Sequence, residues 1–360
     1  MGETIGRMSV IEKVRYKHMD IAKGICMLFV LMAHSCGFPF GMAMYCTAFF
    51  MSLFFVLAGY NFGGNYTWST YVLKRSRKIL IPYFKYNIAL VVIWGLWKGF
   101  ASVKEFILTI VGVIYSSYCL YYPVDAEPNI YFYRVANEAT WFLTAFFCAS
   151  ILFYGYVRFC DGTVKKILFL FGCLLLTKWL VDFPLFLPWN VDRAIIGTML
   201  MVVGYEMKKY LIFQTGNKII KIISTPVLIF VYKVMADANP WINLSTRAYG
   251  NAEKGSVFLF LLIGIVGTIL CVWISEFLNY IPMVNDVLAV MGRKSLPILG
   301  MHLILFRVFD SYVASNIIIQ NNALMFWIVS FGRIAVTVLI IILADYLCHR
   351  LIVKERKRLD

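Results

Sequence analysis

Apolar runs of bilayer-spanning length recur along this 360-residue chain, bordered by Lys and Arg, and they leave few folds open to it. A segment of about 20 apolar residues crosses hydrocarbon as a helix, because a helix satisfies every backbone group without water. The runs fall at about 21–38, 42–62, 79–98, 139–157, 165–182, 192–207, 219–236, 256–277, 296–311 and 324–347. Basic clusters beside them include Lys74 to Lys78, Lys165 and Lys166, Lys208 and Lys209, Arg293 and Lys294, and Arg350 to Arg358. By the positive-inside rule these mark cytoplasmic loops. The expectation is an all-α polytopic membrane helix bundle with about ten transmembrane helices and both termini cytoplasmic.

Hydrophobic residues make up 61% of the chain and charged residues 15%, which excludes an ordinary soluble domain. A net charge of +15 would suggest nucleic acid in a soluble protein, but here the cations sit beside the spans. Topology and contact with anionic lipids account for most of them, and no nucleic-acid partner is expected. The nine cysteines are odd in number and include no Cys-x-x-Cys pair, so neither a disulfide framework nor a metal site is expected. The first apolar run lacks a small-residue cleavage site and should stay as a helix. The chain reads as one domain over 1–360, with a cytoplasmic N-terminal segment (1–20) and a basic cytoplasmic tail (350–360), placed multi-pass in the inner, cytoplasmic membrane.

One further apolar stretch, Glu105 to Tyr122, would break the alternation as a span. It reads as a re-entrant or interfacial segment on the outer side, rich in tyrosine (Tyr115, Tyr118, Tyr121, Tyr122). The outer loops Asp125–Glu138, Asp182–Asp192 and Asp237–Lys254 can shape an entrance but not a folded domain. Trp189, Asp192 and Trp241 are candidates to contact a sugar there; interfacial anchoring is the simpler account of any single aromatic.

Ionisable residues inside these runs are costly and draw attention to themselves. Lys23 and His34 are eleven residues apart, which returns to nearly the same azimuth about three turns, or roughly 16 Å, further along the first helix. Asp20 lies just below, close enough to balance Lys23. A lone membrane histidine is most often a helix–helix hydrogen-bond partner. With Asp20 and Lys23 on the same stripe, a polar-ended groove running toward His34 becomes the better account. Arg75 and Lys78, in Lys74-Arg75-Ser76-Arg77-Lys78, would project from one side of a helical start. The cluster serves either as a stop signal at the cytoplasmic surface or as a clamp for phosphate. Ala58 and Gly59 are small enough for close helix approach. Glu138, before the fourth span, and His302, early in the ninth, are supporting candidates with structural roles as the alternative.

Taken together, HMDIAKGICMLFVLMAHS, FFMSLFFVLAGYNF, KRSRKILIPYF, ATWFLTAFF, MVVGYEMKKY and MGRKSLPILGMHLILF resemble, in order and spacing, the integral-membrane acyltransferase type 3 family. Its members acylate bacterial surface polysaccharides and related acceptors. The resemblance implies that the family's basic residue and histidine, ten residues between them, fall on Lys23 and His34, and its arginine pair on Arg75 and Lys78. Both sites carry Lys where many members have Arg, which keeps the charge and loses the bidentate fork. Ala58 stands where a serine is common. No fused hydrolase-like domain is expected after the tenth helix.

The activity implied is O-acyl transfer, most often of acetyl, from cytosolic acyl-CoA to a cell-surface or secreted glycan or its lipid-linked precursor. His34 would act as general base or as transient acyl acceptor. Lys23, Arg75 and Lys78 would hold the donor, and no tightly bound cofactor is implied. Expected partners are membrane lipids, acyl-CoA and the glycan acceptor, with a homodimer as the oligomeric form. The rival is a transporter or exporter of polysaccharide or a small metabolite, in which the charged stripe lines a path; no paired broken helices in matching halves support it.

Overall fold

The computed structural model describes residues 16–35, 41–117, 119–120, 132, 139–210, 218–240, 242, 244, 256–312 and 323–359. The elements are α1 (Lys17–Ser35), α2 (Ala43–Thr47), α3 (Phe50–Tyr60), α4 (Trp68–Arg75), a π-helical turn (Ser76–Leu80), α5 (Ile81–Trp97), α6 (Val103–Tyr115), α7 (Trp141–Phe159), α8 (Thr163–Val181), α9 (Val191–Lys209), α10 (Lys218–Ala238), α11 (Val257–Leu278), α12 (Val284–Arg293), α13 (Ser295–Tyr312) and α14 (Ala323–Leu359). No strand occurs among the described residues.

Among the described residues, six helical stretches are long and apolar enough to cross a membrane, from Ala43–Tyr60 to Leu324–Leu347, and α12 with α13 makes a seventh if that bent pair is one span. The other three expected spans coincide with α1, α8 and α9, each 19 residues long. Their lysines, acids and histidines make them less apolar than the rest, which is where chemistry inside a bilayer is found. Helix α14 continues for 37 residues, carrying the backbone of the basic tail on as helix to Leu359.

Local signals explain several helix ends. Thr67, Ser102 and Ser256 sit at N-caps and accept from the backbone N–H of Thr70, Glu105 and Leu259. Helix α6 is 13 residues, roughly 20 Å, too short for a span. Tyr115 Oη donates to the carbonyl of Phe186 at 2.7 Å, and Trp189 Nε1 to that of Ile114 at 2.9 Å, so α6 is tied to the loop before α9. Trp189 is half-buried, with its indole N–H spent on this tie. Asp192 is buried beside the guanidinium of Arg193, 3.7 Å away. Asp192 is therefore not laid open for a sugar, a correction to the expectation; the physical reason is that the turn into α9 encloses its carboxylate. Tyr118, Tyr121, Tyr122, Glu138 and Trp241 lie outside the described residues.

Glycines bring the central helices into backbone contact. A Cβ on Gly24 of α1 would stand 2.0 Å from the Leu288 carbonyl oxygen, and one on Gly292 of α12 would stand 1.9 Å from that of Asp20. Gly59 and Gly204 do the same for α3 and α9, at 1.8 Å from the Met201 oxygen and 2.0 Å from the Val56 oxygen. Without a hydrophobic drive between helices in lipid, such close approach is what holds them. Beyond Lys294 the chain turns by 88° from α12 into α13. Replacing Gly292 with Val must push α1 and α12 apart, at about 1–3 kcal/mol or more. A thermal melt in detergent should fall clearly for Gly292→Val and hold for Gly172→Ala, since nothing lies within 4 Å of a Cβ there.

Candidate active site

Helix α1 presents its ionisable groups at two levels. Near its start, Lys23 Nζ lies 3.3 Å from Oδ1 of the buried Asp20. Both line a chamber of about 570 Å³ with Asn61 and Ala58 from α3 and its end, Phe146 from α7, and Gly292, Arg293 and Ser295 from the α12–α13 corner. Ala58 therefore faces the chamber while its neighbour Gly59 packs on α9, a division of labour set by alternate faces of one helix. Other cations gather at this end of the bundle: Lys17 meets Asp286 at 2.7 Å, Lys221 meets Glu276 at 2.8 Å, and Lys294 pairs with Asp345.

In the last described turn of α1, His34 is exposed and its ring centroid is 5.2 Å from that of His302 on α13. His302 is fully buried. Its Nδ1 lies 3.0 Å and 3.1 Å from the carbonyl oxygens of Ile298 and Leu299. Carbonyls only accept, so Nδ1 carries the proton and Nε2 keeps a lone pair. Among the described residues that Nε2 has no hydrogen-bond partner.

An apolar chamber of about 140 Å³ lies between the two levels. It shares Phe54, Phe146 and Ser295 with the larger one, and its far wall includes Val30 and Leu299, one turn short of His34 and His302 respectively. The path from Lys23 to the imidazoles is therefore polar at its mouth and greasy along its length.

Arg75 and Lys78 come together around a third chamber of about 120 Å³, with Lys74 beside them and Asn61 as the residue shared with the Lys23 chamber. Arg75 donates from Nε to Tyr71 Oη at 3.0 Å, and Lys74 donates to Tyr66 Oη at 2.7 Å. The π-helical turn matters here. A wide turn shifts the azimuth of successive side chains, and consecutive residues reach different chambers: Lys78 the basic one, Ile79 the apolar one. Glu138 lies outside the described residues.

Arg333 of α14 carried no signal in an otherwise apolar run. Its Nη1 meets both carboxylate oxygens of Asp310 on α13, at 2.5 Å and 2.6 Å. Its Nε and Nη2 donate to Ser35 Oγ at 3.1 Å and 2.9 Å, and Nη2 also reaches the Ser35 carbonyl. One guanidinium thus ties the C-terminal end of α1, next to His34, to the helix that carries His302. A fork of five donors suits this; an ammonium would not span both partners.

Paired cations, an acid and two imidazoles lie inside one apolar helix bundle, where ionisable groups are costly and mark a candidate site. Residues 16–343 match the family model described as an acyltransferase domain, and the chain belongs to the acyltransferase type 3 family. It is a membrane acyltransferase. No curated protein and no solved structure matches it.

Removing the Arg333 fork should loosen the end of α1. Arg333→Ala is expected to cost about 1–3 kcal/mol of stability, and hydrogen exchange should quicken at residues 31–35 first. Arg333→Lys, which keeps the charge and loses the fork, should recover part of the stability and little of the exchange protection.

Proposed function

We propose that the protein is an O-acyltransferase of the inner membrane that takes an acyl group, acetyl by expectation, from cytosolic acyl-CoA and passes it to a hydroxyl of a cell-surface or secreted glycan or of its lipid-linked precursor. The observation that carries this reading is the pair of neighbouring chambers that leads from Lys23 to within one turn of His34 and His302. Eleven residues of helix separate Lys23 from His34, roughly 16 Å. The arm of CoA from thioester sulfur to first phosphorus is about 13 bonds, and an extended chain advances about 1.2 Å per bond, which is again roughly 16 Å. A phosphate at Lys23 thus puts the thioester at the imidazoles, with the arm in the apolar chamber.

In that pose His34 takes the proton of the acceptor hydroxyl as its oxygen attacks the thioester carbonyl. The carbon–sulfur bond breaks, and the proton returns to the departing thiolate. The other course has an imidazole nitrogen of His34 attack the carbonyl and expel the thiolate; the acceptor oxygen then takes the acyl group from the ring as its proton goes to the thiolate. His302, held in one tautomer by two carbonyls, stands beside His34 with ring centroids 5.2 Å apart. Lys23, Arg75 and Lys78 supply positive charge for the donor's phosphates, and Asp20 keeps Lys23 aimed.

The test is acetyl transfer by the purified protein in nanodiscs. His34→Ala should abolish transfer while membrane insertion stays intact; retained turnover would remove His34 from the chemistry. Ser295→Trp, at the neck between two chambers, should lower kcat/KM for acetyl-CoA about tenfold or more, equivalent to about 1.4 kcal/mol. Well-folded wild-type protein that binds no CoA would favour the transporter reading instead.

A further inference from the structure

One roomy chamber among the described residues is absorbed by nothing above. It measures about 620 Å³ and opens beside the short Phe62–Tyr66 loop, between the ends of α7 and α9. Its walls carry three cations, Arg158, Lys208 and Lys209, and no acid among the described residues. They also carry aromatic rings, Tyr66, Tyr154 and Tyr205 among them. Three features set it apart from a basic patch of topological origin. It is concave. Its charge is arrayed around flat rings, the pairing that holds a base and a phosphate together. Its floor is glycine: a Cβ on Gly63 would lie 3.8 Å from Lys208 Nζ, so a side chain there would occupy the space that a ligand takes.

Two of the cations are held in place. Lys208 donates to the Phe62 carbonyl at 2.7 Å, which fixes the loop to α9. Lys209 pairs with Glu206 at 2.5 Å, and Glu206 also takes Lys166 at 2.8 Å and Tyr156 at 3.0 Å. Tyr154 stacks on Tyr71 with centroids 4.3 Å apart, and Tyr71 bears Arg75. The chamber also adjoins the other basic one. It shares Phe62, Gly63 and Tyr66 with the Arg75–Lys78 chamber, which in turn shares Asn61 with the Lys23 chamber.

We infer that this chamber is the nucleotide subsite of the donor, taking the adenine ring against its tyrosines and the ribose 3′-phosphate between Arg158 and Lys208. The inference rests on the acyl-CoA reading above. With the pantetheine arm filling the path from the histidines to Lys23, the pyrophosphate falls at the junction around Asn61, and the remaining part of the donor extends into the adjoining chambers. Lys23, Arg75 and Lys78 then grip the pyrophosphate, while Arg158, Lys208 and the Gly63 floor decide whether a nucleotide is present at all. A phosphorylated lipid head group offers the same anionic chemistry at this depth, but it has no flat ring to match the tyrosines.

The experiment measures affinity for CoA, 3′-dephospho-CoA and pantetheine in nanodiscs made with and without phosphatidylglycerol. Three proteins are compared: wild type, Gly63→Leu, and Arg158→Gln combined with Lys208→Gln. Gly63 has an ordinary backbone conformation and only ordinary contact at its Cβ, so Gly63→Leu fills the chamber with the fold kept. Wild type should bind CoA at least about tenfold tighter than pantetheine, a difference of about 1.4 kcal/mol. Both variants should erase most of that preference, and the double variant should stop distinguishing CoA from its 3′-dephospho form. Equal binding of CoA and pantetheine by wild type, or a preference that survives in both variants, overturns the subsite while leaving the donor reading in place. No binding of CoA or pantetheine by wild type overturns the donor reading itself. A CoA preference unchanged by the variants, together with loss of bound phosphatidylglycerol from them, assigns the chamber to lipid.

Discussion

Two glycines decide the geometry of this bundle. Because Gly24 and Gly292 have no side chains, α1 and α12 touch backbone to backbone, and everything that lies on either helix is positioned by that contact. It puts Asp20 and Lys23 beside the α12–α13 corner and makes that corner a wall of their chamber. The 88° turn past Lys294 then sends α13 back along α1, so that a histidine from each meets near the far end. In lipid, where burying one more methyl gains little, this kind of close approach is what an interface between helices can be built from.

The second element of design is redundancy at the histidine end. The imidazoles belong to different helices, and a contact of 5.2 Å between rings would not fix their relation by itself. Arg333 does so from a third helix, joining Ser35 to Asp310. At the basic end the same division appears: Glu206 gathers side chains from α7, α8 and α9, and Lys208 pins the glycine loop. Long apolar helices carry the span, and a few charged groups near their ends set which helix stands beside which.

Much of this was legible in the sequence because the signals are local. Apolar runs between basic clusters marked where every expected span has a helix, and the eleven-residue step from Lys23 to His34 put both on one stripe of α1. Gly59 announced a close approach, while Ala58, read the same way, lines the Lys23 chamber instead. What was not legible depends on partners far apart in the chain. Arg293 and Lys294 marked a break before the ninth span, but nothing local says that the chain turns there by 88° between two helices. His302 lies far along the chain from His34, and only the fold makes them neighbours. Arg333 looked like a stray charge because its carboxylate and hydroxyl partners lie 23 and 298 residues away. The π-helical turn at Ser76–Leu80 has no residue signature that separates it from ordinary helix.

The corner between α12 and α13 also acts as the fulcrum of a lever. Ser295 stands at the pivot, inside both chambers on the path from Lys23, and His302 is seven residues up the arm, roughly 10 Å away. A rotation of about 5° at the pivot swings the imidazole by roughly 1 Å, and a displacement of that size can change a reaction rate about a hundredfold. The placement of the His302 ring is thus only as exact as the packing of a corner about two turns away from it.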